Sequence, residues 1–113
     1  MIKARIRHLV LLKFRTDVSE HAIEERWQGL RDLQGPIKGI LDIHTGRSVS
    51  PEQIERGYMH GFSIDFESRD ALLAYLGHPE HQKFGATLLE LVEGGIDGVL
   101  VFDLPLYNNS QKS

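Results

Sequence analysis

The segment His8-Leu9-Val10-Leu11-Leu12-Lys13-Phe14 carries large apolar side chains on both sides of what reads as an extended strand. With a period of two, His8, Val10, Leu12 and Phe14 share one face, and Leu9 and Leu11 share the other. Near the end of the chain, Val99 to Asp103 (VLVFD) repeats the pattern, with Val99 and Val101 on one side and Leu100 and Phe102 on the other. A chain of 113 residues supports one core that hides roughly 70% or less of the unfolded surface. Whatever architecture it adopts must therefore cover a sheet on two faces with very few elements.

The elements between these strands can be read in order. Ser19 is placed as an N-cap, Val18 and Ile23 stand at the two positions of a hydrophobic staple, and Glu20, Glu24 and Glu25 bring negative charge to the helix start. Ile23, Trp27, Leu30 and Leu33 recur at helical spacing, and Gly35-Pro36 stops the helix. Ile40 to Ser48 reads as a weaker strand, followed by Ser50-Pro51-Glu52-Gln53, whose spacing suggests a short helical turn with a capping box. Tyr58 to Phe66 alternates cleanly, with Tyr58, His60, Phe62, Ile64 and Phe66 on one face. Ser68 caps a helix carrying Leu72, Tyr75 and Leu76, which Gly77 interrupts. Pro79 restarts it behind a capping His78, and Phe84, Leu88, Leu91 and Val92 form its stripe up to Gly94-Gly95.

The order β-α-β-β-α-β is the split βαβ arrangement of ferredoxin-like α+β domains, a four-stranded antiparallel sheet with its helices on one face. Residues 1–105 form this domain, and residues 106–113 a polar C-terminal tail. Because the helices cover only one face, Leu9, Leu11, Leu100 and Phe102 are left exposed, and a second copy of the chain is the economical cover. The expected assembly is a homodimer. Met59, Gly61, Ser63 and Asp65 make the same face partly polar on the third strand.

Composition narrows the function classes. There are 13 basic and 16 acidic residues, so the net charge is −3 and no broad basic face is available for nucleic acid. Lys3, Arg5 and Arg7 alternate with apolar residues in the manner of a solvated strand edge. Cysteine is absent, which removes disulfides and thiolate metal sites. No apolar run reaches the roughly 18 residues of a membrane span, and the expected location is the cytoplasm.

The chemistry rests on histidines. Six are present. His21 and His44 read as solvated, whereas His8 and His60 sit on apolar strand faces that point toward the helices, where each ring needs a polar partner. In Tyr75-Leu76-Gly77-His78-Pro79-Glu80-His81, a helix starting at Pro79 puts His81 in its first turn, where the helix dipole disfavours imidazolium and keeps a ring available to accept a proton. Tyr75 can donate its hydroxyl to a carbonyl oxygen. The plain structural alternative is that His78 merely caps the helix and His81 packs on the sheet. A histidine metal site is not expected, because a cap position and a first-turn position need not converge. No cofactor is expected, and the Gly94, Gly95 and Gly98 cluster reads as a turn rather than a phosphate loop.

These residues resemble the stress-responsive dimeric α/β-barrel (Dabb) family. The resemblance rests on His8 to Phe14, Gly57-Tyr58-Met59-His60, Phe66-Glu67-Ser68, Tyr75 with His78-Pro79-Glu80-His81, and Phe102-Asp103. Within it, the chain is similar to polyketide cyclases of the type that forms olivetolic acid. That resemblance implies an aldol-type ring closure, with His81 abstracting a proton beside a carbonyl and Tyr75 holding the carbonyl oxygen. It also implies His8 and His60 as further cleft residues, with Val10, Leu12, Phe62, Phe84, Val99 and Val101 as an apolar wall. Two departures stand out: a tyrosine of that type falls at Leu30, and the segment Gly94 to Gly98 is longer. The sequence thus predicts a cleft for a small apolar or carbonyl ligand, in a stress-associated binding or structural dimer. The catalytic alternatives are a cofactor-independent cyclase or lyase and a cofactor-independent monooxygenase.

Overall fold

The computed structural model describes residues 4–107. Its elements are β1 (Arg5–Leu12), α1 (Glu20–Asp32), β2 (Ile40–Arg47), β3 (His60–Phe66), α2 (Arg69–Leu76), α3 (Pro79–Leu89) and β4 (Val99–Leu106). The four strands form one antiparallel sheet in the order β2-β3-β1-β4. This is the ferredoxin-like α+β fold, with the second helical segment broken into two.

Local sequence accounts for the element boundaries. The Ala22 N–H donates to Ser19 Oγ (3.1 Å) and the Ala71 N–H to Ser68 Oγ (3.2 Å), so both expected N-caps form. The Glu80 N–H donates to His78 Nδ1 (3.1 Å), with Pro79 in the first turn of α3. Ile23, Trp27 and Leu30 of α1, Leu72 and Tyr75 of α2, and Phe84 and Leu88 of α3 meet Val10, Leu12, Phe62, Ile64 and Phe66 of the sheet in one core. Each such apolar side chain contributes about 1.5–3 kcal/mol when fully buried.

The strand faces follow the alternation. Val10 pairs with Phe62 and Val101, and Leu11 with Gly61 and Leu100. Buried residues of β1 and β3 therefore face the helices, while Leu11, Leu100 and Phe102 are exposed on the other side. Asp65, the most polar position of that outer face, is bound by Arg7: Nε and Nη2 donate to its two carboxylate oxygens at 2.8 and 2.9 Å, which holds the Asp65 carboxyl below its ordinary range. A glycine is required at position 61, where a Cβ would come within 2.8 Å of the Val10 carbonyl oxygen.

Three expectations are corrected. Ser50 to Gln53 makes no helix: Ser50 Oγ accepts only from the Glu52 N–H (3.2 Å), and Gln53 has φ of 56°, in the left-handed region. β1 ends at Leu12, and Phe14 makes an isolated bridge to Val92 instead. β4 runs on through Leu106, so the boundary drawn at residue 105 falls inside the strand. Pro105 is tolerated there because β4 is an edge strand, with one side free of hydrogen-bonding demands. Asn108 to Ser113, the rest of the expected tail, lies outside the described residues.

Candidate active site

The site is built at the break between α2 and α3. α2 ends at Gly77, and its last turn places Tyr75 in the core, 1% exposed. His78 and Pro79 start α3 in a new direction, and His81 sits in that helix's first turn. The break brings the Tyr75 and His81 rings together, with centroids 4.2 Å apart and planes inclined at 45°.

His81 Nδ1 lies 3.3 Å from the Leu76 carbonyl oxygen. A carbonyl only accepts, so Nδ1 carries the hydrogen and the lone pair of the neutral ring is on Nε2. Burial holds the His81 pKa below its ordinary value of 6.5; the Leu76 hydrogen bond opposes this, and the nearby His8 and His78 reinforce it. His81 is thus a neutral base at pH 7. Burial has the opposite effect on the Tyr75 phenol and pushes its pKa up, so the group stays a hydroxyl donor. Among the described residues no side-chain nitrogen or oxygen is both sealed from solvent and without a partner. The Tyr75 hydroxyl has no hydrogen-bond partner within the described chain, and the Tyr75 side chain lines the same cavity as His81.

His8 completes the group from β1. Its Nδ1 donates to Asp103 Oδ1 at 2.6 Å, a short charge-assisted contact across the paired positions of β1 and β4. The ring centroid lies 5.9 Å from that of Tyr75. Fixing Nδ1 on a carboxylate leaves His8 Nε2 as the second available ring nitrogen.

These side chains line a cavity of about 310 Å3, at the small end of the range for ligand sites. Of the residues singled out in the sequence, His8, Val10, Phe62, Tyr75, His81, Phe84, Val99 and Val101 line it. His60 and Leu12 do not. They pair with each other across β1 and β3, four residues along the strand from His8 and so about 13 Å away. His60 instead packs edge-on against Phe14, with centroids 5.2 Å apart, and its Nε2 lies 3.2 Å from Glu20 Oε1 at the start of α1. Leu12 is wholly buried. Alternation told which face His60 occupies but not how far along the sheet.

The cavity also includes residues that were not singled out as site residues: Asp103, Leu76, Gly85, Leu88, Leu89 and Ile96. Asp103 was findable, since Val99, Val101 and Asp103 share one strand face. Ile96 belongs to the longer segment before β4, where Gly94 and Gly95 take φ of 72° and 61° and turn the chain back over the cavity.

A ferredoxin-like subunit with a histidine- and tyrosine-lined pocket between its helices and sheet is the class that fold and site define together. Residues 6–106 match the model of the stress responsive A/B barrel domain, and the chain belongs to that family. It is 37% identical over 101 residues to the stress-response A/B barrel domain-containing protein HS1 of Arabidopsis thaliana, covering 89% of each chain. It is 30% identical over 98 residues to olivetolic acid cyclase of Cannabis sativa, covering 87% of this chain and 93% of that one. Among solved structures, a dimeric ferredoxin-like protein from a Jannaschia species superposes with a TM-score of 0.82 at 32% identity, covering 90% of this chain and 99% of that one.

Proposed function

We propose that the chain is a cytoplasmic, stress-associated homodimer whose cleft binds a small carbonyl compound and removes a proton from the carbon beside the carbonyl. The observation that carries this is the contact of His81 with Tyr75. A ring held neutral, with Nδ1 engaged, meets at a 45° tilt the ring of a phenol that lines the same apolar cavity. In the step, the C–H bond breaks and its proton goes to His81 Nε2. The electron pair moves onto the carbonyl oxygen, which accepts a hydrogen bond from Tyr75. In a ring closure the enolate carbon then attacks a second carbonyl of the same molecule, and the new alkoxide takes the proton back from the imidazolium. The cyclase among the relatives supports this chemistry for the cleft.

Binding without turnover is the alternative, favoured by the higher identity to a relative named only for its stress-response domain. Exchange of the α-protons of 3-pentanone in deuterium oxide, followed by proton NMR, separates the two. The wild type accelerates exchange, His81→Ala lowers the rate about 10²–10⁴-fold, and Tyr75→Phe lowers it about 10²–10³-fold. Equal exchange by wild type and His81→Ala overturns the base assignment. Ketone binding without exchange establishes the binding protein, and ketone-dependent oxygen uptake would mark a monooxygenase.

The dimer is proposed from the outer sheet face. Leu11, Leu100, Leu104 and Phe102, the last 63% exposed, form an apolar surface on the side away from the helices, and the Jannaschia neighbour is described as dimeric. Light scattering should return twice the 12.8 kDa chain mass, and Phe102→Asp should return the single mass. A wild type that is monomeric at micromolar concentration refutes the pairing.

A further inference from the structure

The His81 cavity opens along one edge of the sheet. Of the strand residues that line it, His8, Val10 and Phe62 are buried, whereas Val101 is 55% exposed although it points to the helix side with Val10. β4 is an edge strand, so no further strand shields Val101 from water. A small molecule lying against Val101 would keep part of its apolar surface in solvent, which weakens its hold on the cavity.

The chain between α3 and β4 stands beside that opening. The Glu93 N–H donates to the Lys13 carbonyl (2.7 Å) and the Lys13 N–H to the Gly98 carbonyl (2.9 Å), so a single residue just beyond β1 pins both ends of the segment. Next to it, the Arg15 N–H donates to the Leu91 carbonyl (2.9 Å), and Phe14 bridges to Val92. The neck is tight, because a Cβ on Gly98 would run into the Glu93 carbonyl oxygen. Between the pins lies a turn of four residues, Gly94 to Asp97. Its hydrogen bonds join it to itself and its own flank: the Gly95 N–H donates to the Val92 carbonyl (3.1 Å) and the Asp97 N–H to the Gly94 carbonyl (3.3 Å). Gly94 and Gly95 have φ of 72° and 61°. Glycine enters and leaves this left-handed region without steric cost, and two in succession let the turn swing on a fixed neck.

Ile96 is the residue of this turn that lines the cavity. It is also 69% exposed. A bulky apolar side chain so placed contributes little to the core of the unliganded protein, yet it stands at the mouth of an apolar cavity beside the half-open Val101. Resting on the reading of this cavity as a carbonyl site, we infer that the Gly94 to Asp97 turn is a lid. Ile96 folds onto a molecule lying against Val101 and becomes part of its binding site. Closure removes apolar surface of Ile96, Val101 and the ligand from water at once, and this drives the lid without any polar latch. Each methylene so hidden raises affinity about fourfold, so the outer two carbons of Ile96 are worth on the order of tenfold.

The probe is 3-pentanone, and its binding to the full chain is followed by backbone NMR and amide hydrogen exchange. The ketone should shift the amides of Gly95, Ile96 and Asp97 along with those around His81, and should slow hydrogen exchange at Gly95 and Asp97 by about threefold or more. Ile96→Ser should weaken the ketone on the order of tenfold, whereas Ile96→Leu should bind it within about twofold of the wild type. Asp97→Asn, in the same turn but outside the cavity, should leave binding unchanged. Position 96 is exposed, so the variants should melt with the wild type in circular dichroism. The lid is refuted, and the proposed function left standing, if 3-pentanone shifts the amides around His81 but not those of Gly95 to Asp97, or if Ile96→Ser binds it as the wild type does. It is refuted as well if Ile96→Ser changes the assembly mass in light scattering, because a second copy of the chain then covers this edge. If 3-pentanone shifts no cavity amide, the proposed function fails and the lid with it.

Discussion

Replacing Asp103 tests how the two histidines of the cavity divide their work. The carboxylate accepts from His8 Nδ1 at 2.6 Å, and the His8 side chain is 5% exposed against 39% for Asp103. Asp103→Ala leaves a buried ring nitrogen without its acceptor. A hydrogen bond to a charged group is worth about 1.5–3 kcal/mol when both partners are shielded. Because water reaches the Asp103 side, the cost belongs at the bottom of that range, about 1.5 kcal/mol. In a domain of this size that lowers the melting temperature by about 5–8 °C. Asp103→Asn keeps the shape and offers the ring either an oxygen or an N–H, so it should cost less than half as much. It also frees the imidazole to adopt the other tautomer, with Nε2 protonated. Thermal unfolding followed by circular dichroism gives the stabilities, and nitrogen-15 chemical shifts of the His8 ring give the tautomer. If Asp103→Ala unfolds within 1 °C of the wild type and the His8 ring keeps its hydrogen on Nδ1 in Asp103→Asn, the contact neither stabilises the fold nor orients the ring.

Two further outcomes follow from the same geometry. Burial lowers the folded-state pKa of His81 below 6.5, so the unfolded chain binds a proton there that the folded chain does not. Stability from this group is fully present above pH 6.5 and is lost as pH falls from 6.5 toward the lower folded value. His81→Gln should flatten urea-unfolding free energies across that window, and an unchanged slope argues against the burial effect. The α-proton exchange rate should rise with pH through the same folded value and level off before neutrality, whereas a midpoint above 6.5 contradicts the lowered pKa. In the core, Leu30 has no exposed surface, and Leu30→Ala should cost about 2–5 kcal/mol in urea denaturation; a loss under 1 kcal/mol would mean the core collapses around the gap.

Much of the fold is legible because period-two and helical patterns decide which face a side chain occupies. His8, Val10 and Leu12, or His60, Phe62 and Ile64, needed no structure to be assigned to the helix side. Register along the sheet is different information. His60 pairs with Leu12 rather than with His8, and this comes from pairing between strands far apart in the chain, which no local pattern encodes. The same limit separates Leu12 from the cavity. The Ser50 to Gln53 turn matched a capping pattern, but tertiary contacts prevailed: Ser48 N–H donates to the Met59 carbonyl (2.8 Å) and Ser48 Oγ to Glu55 (2.6 Å), closing the loop in a non-helical shape. The pattern Val99 to Asp103 ends where the apolar alternation does, whereas β4 continues through Leu106, since Pro105 is compatible with an edge strand.

The break between α2 and α3 makes the site possible. Tyr75 and His81 are six residues apart, and in one continuous helix they would stand about 120° apart around the axis, facing different surroundings. Gly77 ends the first helix, and His78 and Pro79 begin another, so that both rings meet over the same strip of sheet at 4.2 Å. The interruption also turns the Leu76 carbonyl, freed from the helix ladder at the C-terminus of α2, toward His81 Nδ1. An unsatisfied helix end thus becomes the group that fixes the tautomer of the proposed base. Restoring helix continuity here would do more than straighten a kink: it would remove the acceptor for Nδ1 and separate the base from its hydroxyl partner in a single change.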